Sequence, residues 1–122
     1  MTRLVSLLLL ASSINAVSQS GKRHGPDCGG GWPTNMAQTL LKNNGVLKSE
    51  EIDSSKTKTT RLASEKLNND LWHQVYLVTF VSRSGESIQA IVVHDASIEE
   101  CSMTGVQVFL VSKRLDSDPH KR

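Results

Sequence analysis

Few residues in this chain have the side chains for chemistry, and their spacing limits what they can do. Four histidines are present, His24, His73, His94 and His120, and carboxylates gather at Asp95, Glu99 and Glu100. Two cysteines, Cys28 and Cys101, complete the set. His24 and His120 fall in the tails, whereas His73 and His94 lie in apolar runs that read as strands. Pairing those runs about a Ser84-Gly85 turn places His73 opposite Ala96 and diagonal to His94, about 7–8 Å away on one face. In that register Asp95 points to the other face. Two histidines lack the third ligand of a zinc site, so no metal is expected.

A nucleophile is equally hard to find. The serines make no Gly-x-Ser-x-Gly elbow. The glycines near Cys28 precede no strand–helix unit that would cradle a phosphate. The carboxylates of the 95–105 loop would need a concave, partly dry site to act as acid and base. The expectation is therefore a protein that is not an enzyme and carries no cofactor.

The N-terminus reads as an address. Arg3 is followed by the apolar run Leu4 to Ala11, and Ile14-Asn15-Ala16 ends in a small residue, the layout of a cleaved secretory signal over residues 1–16. Gly25-Pro26-Asp27 before Cys28 is no lipid-attachment motif, so no membrane anchor is expected. An exported chain with two cysteines predicts a Cys28–Cys101 disulfide. Closing so long a loop stabilises a small domain by roughly 4 kcal/mol in the chain-entropy model.

The elements that must position these groups follow from the patterning of 122 residues, enough for a single domain. Residues 17–31 are polar and glycine-rich and read as a flexible leader. Trp32-Pro33-Thr34 opens a helix of about ten residues, with Thr34 as N-cap. Met36, Ala37, Leu40 and Leu41 form its apolar stripe and Gly45 its C-terminal stop. Residues 57–63 read as an edge strand, blunted by Lys56, Lys58, Arg61 and Lys66. Leu67-Asn68-Asn69-Asp70 reads as a turn. Three apolar strands follow, over residues 71–81, 88–93 and 106–111. The domain is assigned to residues 32–115, with a disordered tail over 116–122.

The Ser84-Gly85 turn pairs Arg83 with Glu86, Val81 with Ile88, Leu77 with Val92 and Tyr76 with Val93. Both faces of this hairpin are then apolar, with Val75, Leu77, Val81, Ile88 and Val92 on one. Tyr76, Val78, Phe80, Ile91 and Val93 line the other. One short helix cannot cover both, so the second face must be shielded by the leader, a second copy or another protein. The formal charge of +2 and an aromatic content of 4% argue against a nucleic-acid partner. Residues 27–110 hold seven Lys and Arg against ten Asp and Glu, which makes the body mildly acidic.

The expected fold class is α+β, one N-terminal helix packed on a four-stranded antiparallel meander. That order resembles the cystatin-like and NTF2-like folds, in which a curved sheet wraps a helix. The protease-binding glycine motif of true cystatins is not recognisable. Residues 71–115 carry Asp95-Ala96-Ser97, Glu99-Glu100-Cys101-Ser102-Met103 and Gly105-Val106 between strands. This region resembles small exported bacterial proteins of the toxin-immunity or enzyme-inhibitor type. The resemblance implies a periplasmic or secreted, non-catalytic module that occludes a lytic effector or hydrolase. Asp95, Glu99, Glu100, Met103, Tyr76 and Phe80 are its expected partner-binding residues, and a homodimer is a further expectation. The alternatives are an envelope assembly protein binding through the same sheet face, or a small ligand-binding domain with a pocket at His73 or His94.

Overall fold

The structure is a computed structural model, and it describes residues 24–111. The expected signal over 1–16, the leader up to residue 23, residues 112–115 of the expected domain and the whole tail over 116–122, His120 included, lie outside the described residues. The described chain is α+β. Helix α1 (Trp32–Asn43) is followed by short 3-10 turns at Ser49–Glu51 and Ser54–Lys56. Strands β1 (Lys58–Asn68), β2 (Leu71–Val81), β3 (Ser87–Ala96) and β4 (Gln107–Val111) then form one antiparallel sheet in sequence order.

Helix α1 begins one turn earlier than its sequence suggests. Gly31 is the N-cap, and Pro33 sits in the first turn, where a missing N–H costs nothing. Thr34 is therefore not the N-cap. Its hydroxyl reaches back to donate to the Gly29 carbonyl at 2.6 Å, tying the helix to the segment before it. The C-terminus closes as expected. Gly45 adopts φ +72°, its N–H donates to the Lys42 carbonyl, and the Val46 N–H donates to the Leu41 carbonyl. Ala37 and Leu41 are buried, while Met36 and Leu40 are only half-buried.

The central hairpin is one residue out of the predicted register. Tyr76 pairs with Val92, Leu77 with Ile91 and Val81 with Ser87. The reason lies in the loop. Ser82 and Glu86 close it, the Ser82 N–H donating to the Glu86 carbonyl, and Arg83-Ser84-Gly85 span the gap. Gly85 takes φ +93°, the left-handed position of a three-residue hairpin loop. A slip of one residue exchanges the faces of one strand relative to the other. Ile88 and Val92 thus join Tyr76, Val78 and Phe80, while Ile91 and Val93 join Val75, Leu77 and Val81.

The inner face is the core. Tyr76, Val78 and Phe80 of β2 and Ala90, Val92 and Ala96 of β3 pack with Ala37, Leu41, Leu47, Ile52 and Cys28. Helix α1 lies chiefly over β3. The neighbouring strands are covered by residues 24–29, the described part of the expected flexible leader, which run across them as a strap. Arg61 and Gln74 both donate to the Pro26 carbonyl, at 3.1 and 2.8 Å, and Ser64 donates to the His24 carbonyl at 2.5 Å. Gly25, at φ +76°, lies so close to the Trp72 ring that a Cβ there would stand 2.6 Å from it. The leader therefore shields the same face as the helix, not the opposite one.

β1 is an edge strand, as expected, but it runs through Leu67 and Asn68, which the sequence pattern assigns to the turn. Its ladder to β2 skips Leu62 and Leu67, both half or more exposed. Two bulges thus turn the bulky residues of this edge outward and roughen the strand against pairing.

Candidate interaction face and the His73–Asp95 pair

The face of the sheet away from α1 and the strap is the candidate functional surface. The register places Val75 beside Val93, Leu77 beside Ile91, and Ile91 beside Phe109. These five residues form an apolar stripe across β2, β3 and β4. Val75, Leu77, Ile91 and Val93 are half-buried by their neighbours within the sheet, and Phe109 is 56% exposed. No described segment packs over the stripe. Its sequence origin is plain, since both parities of β2 and β3 are apolar and only one parity can face the helix.

At one end of the stripe the chemistry becomes polar. The corrected register sets His73 directly opposite Asp95, with Nδ1 2.6 Å from a carboxylate oxygen. A carboxylate accepts, so Nδ1 carries the hydrogen and a neutral ring presents Nε2 as an acceptor. Thr104, Gly105 and Gln107 join this pair and Val93 around a shallow groove of about 250 Å³. Among the described residues, Asp95 is the one side chain hydrogen-bonded to His73, and no group of three His, Cys, Asp or Glu is arranged to hold a metal. The pair is a polar anchor of fixed orientation beside an apolar surface.

His94, expected beside His73, points the other way. It lies opposite Gln74, is buried, and stacks on Tyr76 with ring centroids 5.7 Å apart. Tyr76 in turn is a clamp, its hydroxyl accepting from the Cys28 N–H at 2.9 Å and donating to Gln74 at 3.0 Å. Burial of this hydroxyl pushes the Tyr76 pKa up, and the Cys28 N–H bond opposes the rise. Tyr76 and Phe80 are 2% and 0% exposed. Expected as partner contacts, they belong to the core and offer no surface.

The 97–105 loop is pinned to the sheet at several points. Cys101 is bonded to Cys28, confirming the expected disulfide. Ser97 and Glu100 close a turn, with the Ser97 N–H donating to the Glu100 carbonyl at 2.8 Å and the Glu100 N–H to the Ser97 hydroxyl at 3.0 Å. Asp70 accepts from the Ile98 N–H, and Thr104 from the Asp95 N–H. Glu99 and Glu100 stand exposed, as do Ile98 and Met103. Of the expected contact residues, Asp95 joins the open face, and Glu99, Glu100 and Met103 form a separate exposed patch on this loop.

The His73–Asp95 pair and the Tyr76 clamp escaped the sequence reading. Arg83-Ser84-Gly85 suits a three-residue loop with a left-handed glycine as well as Ser84-Gly85 suits a two-residue turn, and nothing in the sequence chooses between them. No family model, curated protein or solved structure matches this chain.

Proposed function

We propose that this chain is an exported binding protein of the immunity or inhibitor type, which occludes a lytic effector or hydrolase with its open sheet face. The observation that carries this reading is the apolar stripe Val75, Leu77, Ile91, Val93 and Phe109, bordered by His73–Asp95. An apolar centre with an oriented polar rim is the composition of a protein-binding patch. The helix–sheet interior is filled by Tyr76, Val78, Phe80 and Val92, which opposes a ligand-carrier role in that space. The disulfide is compatible with a secreted or periplasmic location. Among the described residues, no helix is long and apolar enough to cross a membrane.

The test is inhibition of peptidoglycan degradation by a panel of purified lytic hydrolases of glycosidase, amidase and peptidase type. The oxidised chain should inhibit at least one stoichiometrically. Leu77→Asp and Ile91→Asp, checked for folding by circular dichroism, should lose that inhibition. Inhibition of none, or equal inhibition by the face variants, would overturn the reading.

A further inference from the structure

We propose that two copies of this chain associate edge to edge through β4, antiparallel about a two-fold axis at Phe109, joining their sheets into one. This concerns the margin of the sheet, and Phe109 is the one residue of the open-face stripe that it shares. Among the described residues β4 pairs with β3 on one side only, so its other side carries unpaired backbone N–H and C=O groups.

The two margins of the sheet are built differently. β1 carries Lys58, Arg61 and Lys66 and is interrupted by bulges at Leu62 and Leu67. β4, Gln107-Val108-Phe109-Leu110-Val111, has neither a charge nor a bulge, and its ladder is continuous. One margin is defended against pairing and the other is open to it.

Beside β4 the core is unfinished. Leu40, Leu41 and Val46 at the end of α1 face Val108 and Leu110 across a groove of about 330 Å³. A strand added to β4 would direct alternate side chains into that groove, so the space calls for an extended segment with apolar residues two apart. β4 itself has that pattern in Val108 and Leu110. About a two-fold axis at Phe109, Val108 of each copy meets Leu110 of the other, and Phe109 meets its own symmetry mate. A charged strand would repel itself in this arrangement, and β4 has no charge to do so. The edge is about 17 Å long, and so short a strand pair buries less than the roughly 800 Å² per partner of a standard interface, so association should be reversible and in the micromolar range.

The experiment is sedimentation equilibrium of the oxidised chain from roughly 1 µM to 1 mM, a range that brackets weak interfaces. The mass should double with concentration. Phe109→Lys and Phe109→Glu, at a half-exposed site that the core does not need, should each remain monomeric. Mixed in equal amounts, they should recover the dimer, because unlike charges then meet on the axis. Leu77→Asp, two strands away on the open face, should dimerise as the parent does. A monomeric parent, dimeric single variants, a mixture that stays monomeric, or loss of the dimer in Leu77→Asp would each overturn the proposal. A monomeric parent would leave the open-face reading untouched.

Discussion

His94 donates a 2.9 Å hydrogen bond from Nδ1 to the backbone carbonyl of Cys101, so the ring that stacks on Tyr76 also holds the loop that carries the disulfide. A carbonyl only accepts, which fixes the neutral tautomer with hydrogen on Nδ1. Nε2 is then buried and has no partner among the described residues. Adding a proton there would create a charge with no acceptor.

The pH dependence of stability follows. Burial lowers the His94 pKa below 6.5, with the Cys101 carbonyl opposing the shift. The unfolded chain therefore takes the proton first as pH falls. Stability from this group is present above about 6.5 and is lost as pH falls toward and through the lowered folded value. Asp53, held below 3.8 by the Ser55 hydroxyl, acts in a separate and lower window. The urea midpoint should decline from pH 7 to pH 5, and His94→Gln should flatten that decline. Parallel profiles for parent and variant would show that His94 is not the titrating group.

The disulfide should dominate stability. Cys28 and Cys101 are 73 positions apart, and closing such a loop contributes roughly 4 kcal/mol. For a domain of this size that corresponds to a fall of about 15–30 °C in Tm when both cysteines become serine. The strap adds to the effect, because the N–H of Cys28 is held by the Tyr76 hydroxyl. A change of only a few degrees by differential scanning calorimetry would mean that the strap stays docked without its sulfur bridge.

The element types were legible because each rests on local pattern. The α1 stripe has helical spacing, Gly45 supplies its stop, and the strands are apolar runs. The disulfide was legible from a count of two. The faces were not, because they depend on one residue of register, and register was set by the conformation of Gly85. The choice between Ser84-Gly85 and Arg83-Ser84-Gly85 also decided whether His73 met Ala96 or Asp95. The strap was invisible for another reason. Its contacts are backbone carbonyls of His24 and Pro26 accepting from side chains 35 to 48 residues away, and carbonyls leave no mark in a sequence.

The strap's packing can be isolated by comparing two glycines. Gly25 and Gly85 both have positive φ, +76° and +93°, so alanine at either incurs backbone strain of about 1–2 kcal/mol. Only Gly25 has a neighbour in the way, the Trp72 ring, whereas Gly85 faces open space. Gly25→Ala should therefore destabilise the fold clearly more than Gly85→Ala in denaturant titrations. Equal losses would show that residues 24–29 lift from the sheet at little cost.

The acidic loop should govern how fast a partner arrives more than how long it stays. Glu99 and Glu100 are exposed, and the bond from the Ser102 hydroxyl to Glu100 is a surface contact. Reversing both charges thus leaves the turn at Ser97 and the disulfide in place. Such exposed charges act over a Debye length and are screened by salt. With a hydrolase that the chain inhibits, Glu99→Lys with Glu100→Lys should slow association by about tenfold at low ionic strength, with little change in dissociation. The gap between parent and variant should close as salt is raised. Stopped-flow binding that shows equal association rates at low salt would remove this loop from the encounter and leave the open face to act alone.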